Sequence, residues 1–288
     1  MRKKKISYIK KIEKINIYKL GTVLSIIAII LSQFRPLYSY FEKPNTQIRS
    51  DIGRFFVFHD FGTLKFQNWI QVKNDAYSTS ETIKDIYLFL EKKDTSNFKT
   101  ILKAQHELDY FQIVDNRPRF IPVFDIYLLP GQGLFGEFIF SEITSVENQK
   151  YLNNLKNEIY QDIYNKSNFG LNPLISQELQ EKVDNLCNEN LKFVTEGEYR
   201  YFFVLVNDKG KILKPKKYYE FKMFKSDIDA LEEITIDYSK GGNGINYYIK
   251  NKNIGFYTSA IELYNSQIIN EMFKEFKIVI KKTTANKL

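Results

Sequence analysis

Residues Leu20–Phe34, LGTVLSIIAIILSQF, form the one long stretch of this chain that is apolar and free of charge. Such a run is either buried whole or removed from water altogether. Fifteen residues of helix rise about 22 Å, short of a hydrocarbon core of about 30 Å. Runs of this length also occur as buried helices and as the cores of signal peptides. The flanks favour a span. Lys19 and Arg35 can snorkel, and Tyr18, Tyr38, Tyr40 and Phe41 carry the amphipathic rings that settle at headgroup depth. Extended to residues 18–38, the segment is long enough to cross. Leu20, Val23, Leu24, Ile26, Ile27, Ile29, Ile30, Leu31 and Phe34 each favour insertion by roughly 0.3–0.6 kcal/mol, which offsets the penalties of Gly21, Thr22 and Ser25. The run is followed by Ser32-Gln33-Phe34-Arg35-Pro36, bulky and charged where signal peptidase needs small residues. The expectation is an uncleaved, single-pass transmembrane anchor over residues 20–34.

Charge sets its direction. Residues 1–19 hold eight basic side chains against Glu13 alone, whereas residues 35–54 hold Arg35, Lys43, Arg49 and Arg54. The positive-inside rule then leaves residues 1–19 as a basic cytoplasmic tail and the rest outside the cytoplasm, on a bacterial inner (plasma) membrane. The tail carries +7 of the net charge of +8, leaving +1 for residues 20–288. That removes the electrostatic support for nucleic-acid binding by the body, while an anionic leaflet attracts the tail. A single cysteine, Cys187, excludes an internal disulfide framework, so the core must come from packing. Tyr and Phe are abundant, at 20 and 24 residues, which favours sheets.

Beyond Pro36 and Pro44 the pattern is mostly period two. Leu64, Phe66, Ile70 and Val72 alternate with polar residues as in a half-buried strand. Arg54–Phe58 and Ile83–Leu90 read as strands, with weaker candidates at Phe98–Lys103 and Phe111–Val114. Phe120–Leu129 reads as a long strand paired with Leu134–Phe140 across Pro130–Gly133. Thr144-Ser-Val-Glu147 is a capping box. After it, Leu152, Leu155, Ile159 and Ile163 recur at helical spacing, as do Leu179, Val183 and Leu186 in a second helix. Strands resume at Glu198–Val206 and Ile212–Phe224 across the turn Asn207–Gly210. Ser226–Asp237 reads as a helix, and further strands are expected at Ile245–Lys250 and Ile254–Thr258. Ile261, Tyr264, Ile268, Met272 and Phe276 share a helical face, and Phe276–Ile280 fits helix or strand. The run from Tyr201 to Val206 is too apolar for an edge and needs neighbours on both sides. The fold class expected is mainly β (α+β): an Ig-like antiparallel β-sandwich over residues 45–288 with a helical insertion at about 144–190.

Candidate chemistry is thin. Gly131-Gln-Gly133-Leu-Phe-Gly136 is a G-x-G-x-x-G lying between two strands, so it is not the dinucleotide fingerprint, which opens a helix. A kinase phosphate loop also joins two strands, but no V-A-x-K strand follows, and neither H-R-D nor D-F-G comes after it; a glycine-rich turn is the reading, with no nucleotide. His59 and His106 are too few for a histidine-based metal site. Asp60 can orient His59, but no nucleophile motif completes a triad. Cys187, beside Leu186, reads as a buried thiol. Glu178, Glu181 and Asp184, interrupted by Lys182, read as a solvated helix face. Lys209, Lys211, Lys214, Lys216 and Lys217 run into Tyr218, Tyr219 and Phe221. That pattern suits an edge hairpin protected against aggregation, and also a binder of anionic headgroups or single-stranded nucleic acid; edge protection is the preferred reading. No catalytic, cofactor-binding or metal residue is assigned. The functional expectation is a non-catalytic, membrane-tethered binding or interaction module of the envelope. Its expected partners are membrane lipid, through the span, and a protein or envelope polymer. The alternatives are a membrane-anchored hydrolase with an unpaired acidic site and a cytoplasm-facing sensor or effector domain.

Overall fold

A computed structural model describes residues 19–30, 32, 41–93, 98–114, 117–167, 175–239 and 255–285. Helix α1 covers residues 19–30. The strands are β1 (Thr46–Asp60), β2 (Thr63–Asn74), β3 (Glu81–Lys92), β4 (Lys99–Val114), β5 (Arg117–Pro122), β6 (Ile126–Leu128) and β7 (Gly133–Glu142). Helices α2 (Val146–Ser167) and α3 (Gln177–Leu191) follow. Then come β8 (Gly197–Asn207), β9 (Ile212–Leu213), β10 (Tyr218–Met223), α4 (Lys225–Ser239), β11 (Phe256–Thr258), β12 (Ile261–Leu263) and α5 (Ser266–Ala285).

Among the described residues all twelve strands belong to one antiparallel sheet: nine follow the order β11-β1-β2-β7-β4-β3-β8-β10-β12, while β5 pairs with β4, β6 with β3 and β9 with β8. The sandwich of two packed sheets expected above is therefore replaced by a single sheet curled into a half-barrel. The physical reason lies in strand length and bulges. β1 and β4 run for 15 and 16 residues, and their registers shift between Ser50 and Phe55, between Ala104 and His106, and between Asp109 and Ile113. Each such bulge adds local right-handed twist and bends the strand, so a wide sheet coils instead of splitting. The curl brings the second strand of the order onto the eighth: the Ser50 backbone N–H donates to the Tyr219 hydroxyl at 3.1 Å. It also brings Phe140 of β7 against Phe203 of β8, ring centroids 5.4 Å apart, with two strands between them in the sheet.

Side-chain alternation gives this sheet two apolar faces. On β8, Tyr199, Tyr201, Phe203 and Leu205 fill the concave interior, where they meet Phe66, Leu88, Leu102, Tyr219 and Phe221. Phe202 and Val204 point the other way and pack under α5, against Ile269, Met272 and Phe276. A second outer cluster sets Phe56, Phe58, Phe61 and Ile139 against Leu155 and Ile159 of α2 and Leu179, Val183 and Cys187 of α3. Each fully buried Phe or Leu contributes roughly 1.5–3 kcal/mol, so these faces hold the helices to the sheet.

Other local expectations change in instructive ways. Leu134–Phe140 lies in β7, which pairs with β2 and β4, while the long strand expected at Phe120–Leu129 is split into β5, on β4, and β6, on β3. Pro122 ends β5, where its missing N–H interrupts the ladder. The two weak candidates at 98–103 and 111–114 are ends of one strand, β4. The cap of α2 is Ser145, whose Oγ accepts from Asn148 N at 3.2 Å, one residue later than the box centred on Thr144. Phe276–Ile280 is helical, and Ile261 lies in β12 instead of on the helix. The expected strand at Ile245–Lys250 lies outside the described residues. So does most of the far end of the apolar run: α1 shows exposed Leu20, Val23, Leu24, Ile26, Ile27, Ile29 and Ile30. Among the described residues no helix is long and apolar enough to cross a membrane.

Candidate functional site

The register of the sheet sorts its loops to two ends. At one end Thr46 pairs with Asn74, Lys73 with Gly133, and Ile83 with Asn207, so the start of β1 and the turns after β2, before β7 and after β8 lie together. At this end a cleft of about 370 Å³ lies between the start of β1 and the β9–β10 connection. Thr46–Ser50 of β1 form one wall; Leu213–Lys217 and Tyr219, with Glu262 and Tyr264, form the other.

The floor is formed by Tyr219 with Phe203 and Leu205, and Tyr201 lies buried beneath it. Tyr219 and Tyr201 stack with centroids 5.0 Å apart. Tyr201's hydroxyl lies beside Ser50 and Asn68, and Asn68 Nδ2 donates to Ser50 Oγ at 2.7 Å. Burial pushes both phenols well above their ordinary range, so they remain neutral hydrogen-bonding groups. The Thr46 hydroxyl, buried at the wall, is unpaired among the described residues.

The rim is cationic. Arg49, Lys214, Lys216 and Lys217 all line it. Lys216 Nζ donates to Asn45 Oδ1 at 3.0 Å, tying the β9–β10 connection to the segment entering β1. The cleft has one carboxylate among its lining residues, Glu262, and it is occupied: Lys217 and Tyr264 both donate to it. Burial alone would raise the Glu262 carboxyl, but these bonds and the lysine charge outweigh it and hold it below the usual carboxylate range. The same bond to Glu262 raises Tyr264. With Glu262 balancing Lys217, the remaining rim charge is positive. Chemically, the arrangement can receive an oxyanion between Arg49, Lys214 and Lys216, over Tyr219 and beside the Thr46 hydroxyl.

Three of the lysines singled out in the sequence thus reach the cleft, while Lys209 and Lys211 sit at the neighbouring turn. Arg49, Glu262 and Tyr264 were missed. No local signal marks them, because the contact that brings Ser50 to Tyr219 spans 169 residues.

The remaining sequence candidates are structural. His59 is buried; its Nε2 donates to the Leu231 carbonyl (2.7 Å) and its Nδ1 accepts from Gly62 N (2.8 Å). That fixes the neutral tautomer, and burial lowers its pKa to about 4. Asp60 faces Lys65 and Lys156 instead of the imidazole, at 3.4 and 2.6 Å. Asp60-Phe61-Gly62 does spell a D-F-G, ahead of the glycine motif instead of after it. It forms the β1–β2 turn, with positive φ at both Phe61 and Gly62 as a two-residue hairpin requires. Gly131, with φ of 73°, makes the turn before β7, Gly133 begins that strand and Gly136 lies within it, so the G-x-G-x-x-G cradles no phosphate. Cys187 is buried against Phe61 and its neighbours. Glu178 and Glu181 are exposed on α3, where Glu178 pairs with Lys182 and Glu181 accepts from Gln177. Asp184 accepts from Gln180, and His106 stacks edge-on to Phe120.

No protein-family model and no curated protein matches the sequence. Among solved structures, similarity is found to a β-glucosidase from Kluyveromyces marxianus in complex with glucose (11% identity, 63% of this chain, TM-score 0.25). The chain spans 14% of that enzyme's length. Similarity is also found to the solution structure of a late embryogenesis abundant (LEA) protein (10% identity, 84% of each chain, TM-score 0.24). A third is Spo0M, a sporulation control protein from Bacillus subtilis (9% identity, 83% of this chain and 98% of that one, TM-score 0.21).

Proposed function

We propose that this chain is a membrane-tethered, non-catalytic binding module of the bacterial envelope whose seam cleft holds an oxyanion-bearing ligand. The observation that carries the reading is the convergence of Arg49, Lys214 and Lys216 on a cleft floored by Tyr219, Phe203 and Leu205, whose one lining carboxylate is already engaged by Lys217 and Tyr264. A hydrolytic site needs an acid and a base, or a nucleophile and its base, facing one substrate. A rim of cations with neutral phenols supplies recognition instead. The tether reading is supported by α1, which presents apolar side chains to its surroundings, by the apolar sequence that continues to Phe34, and by the basic tail that precedes it. The charge bias of the flanks supports a cytoplasmic tail with the sheet outside the cytoplasm.

Equilibrium dialysis of the full-length chain in uncharged detergent, with labelled pyrophosphate as probe, tests the cleft. Hydrogen bonds to charged groups are worth about 1.5–3 kcal/mol, so Arg49→Ala and Lys216→Ala should each weaken binding roughly ten- to a hundredfold. Lack of saturable binding, or equal binding by the double variant, refutes the assignment.

A further inference from the structure

The end of the sheet that holds the cleft carries a second pattern. Glu42, in the segment entering β1, accepts from the backbone N–H groups of Tyr77 and Ser78, both at 2.8 Å, which fixes the entering chain beside the turn after β2. Asn74 receives Gly131 N at 2.9 Å, placing the turn before β7 there too. Asp208 N donates to the Thr82 carbonyl, and Thr82 pairs with Tyr127, so the turn after β8 closes the ring. These contacts gather Phe41, Tyr77, Tyr127 and Leu129 at one end, all more than half exposed, the first two at 82%. Around them stand Lys43, Lys209, Lys211, Lys214 and Lys216, all exposed, which outnumber the exposed Asp125 and Asp208. Asp75 is neutralised by Lys73 at 2.7 Å, and Glu42 is held by its backbone bonds.

Aromatic and leucine side chains ringed by lysines are the composition of a surface that rests at the interface of an anionic bilayer: rings and leucine at the acyl boundary, ammonium groups over the phosphates. Each lysine near such a surface contributes about 1 kcal/mol. Chain length supplies the occupant. Phe41 is eleven residues beyond the last residue of α1's continuous described turn, so a connection of at most about 39 Å links them. We propose that this end of the sheet lies on the anionic membrane in which α1 is inserted, with lipid headgroup phosphates as the oxyanions presented to the Arg49–Lys214–Lys216 cleft. The inference rests on the tether reading and adds to it an orientation and a ligand.

The test uses full-length chain reconstituted in nanodiscs of anionic lipid with brominated acyl chains. Trp69 is the chain's one tryptophan. In a Trp69→Phe background, Tyr77→Trp places a reporter on the proposed surface and Phe193→Trp places one at the opposite end, beside the start of β8. The expected result is loss of fluorescence by bromine quenching at position 77 and none at 193, with the loss at 77 reduced in zwitterionic discs and by Lys211→Glu with Lys214→Glu. If the chain stays with the discs and both reporters fluoresce alike, the docked orientation is wrong while the tether stands. If the chain does not stay with the discs, the tether itself fails and this inference falls with it.

Discussion

Replacing His59 by glutamine should flatten the acid sensitivity of folding. The imidazole is 1% exposed and cross-links the β1–β2 turn to α4 through Gly62 N and the Leu231 carbonyl. Its pKa falls from an ordinary 6.5 to about 4, chiefly because burial penalises the cation. The sign follows from linkage. The folded pKa is depressed, so the unfolded chain takes up a proton near pH 6.5 that the folded chain refuses until about pH 4. The stabilisation is complete above pH 6.5 and drains away as pH falls through that window. At about 1.4 kcal/mol per pH unit, the loss is about 2 kcal/mol between pH 6.5 and 5, and roughly 3 kcal/mol by pH 4. Glutamine can accept from Gly62 N and donate to the Leu231 carbonyl without titrating. Urea denaturation of both full-length proteins in uncharged detergent, at pH 7 and pH 5, measures the difference. Asp60 and His106 are common to both and cancel. Wild type should lose about 2 kcal/mol more than His59→Gln over that interval. Equal losses would mean that His59 is not the buried neutral cross-link described, and the reasoning fails.

Three further outcomes follow from the same packing. Gly62→Ala combines a left-handed backbone (φ 81°) with a Cβ that would stand 2.7 Å from Asn190 Cβ and 3.0 Å from the Cys187 backbone, so thermal denaturation should show a loss of at least about 1–3 kcal/mol. Phe276→Ala empties the contact of α5 with Phe89 and Phe202 and should cost about 3–5 kcal/mol in the same assay; a loss below about 1 kcal/mol would show that α5 is not docked as described. Gly133→Ala meets only ordinary contacts at 3.5 Å, so its melting curve should overlay the wild type and calorimetry with ATP should show no saturable heat.

Much of the strand content was legible because period-two patterning is local. β2, β3 and β8 could be read from Leu64, Phe66, Ile70 and Val72, from Ile83–Leu90 and from Tyr201–Val206. The double burial of β8 followed from its continuous apolar run, and the two helices between β7 and β8 from their 3.6 spacing. Closure was not legible. Whether a dozen strands split into two layers or coil as one depends on bulges such as the one between Ser50 and Phe55, where Gly53 is a local bulge signal that says nothing about which way the whole sheet closes. The cleft suffered the same way: five lysines in a hairpin could be noticed, but Arg49, Glu262 and Tyr264 join them only through the curl. His59 was seen as a possible partner of Asp60 because adjacency in sequence suggested it. In a strand, adjacent side chains point to opposite faces, and the two residues find separate partners.

The most direct test of the central claim is alkaline carbonate extraction of membranes from cells expressing the full-length chain, followed by flotation. A chain held by residues 20–34 should float with the lipid after the wash, and substituting Ile26, Ile27 and Ile30 with aspartate should release it. Quantitative release of the wild-type chain at high pH would contradict the tether, and with it the placement of the cleft at a membrane surface.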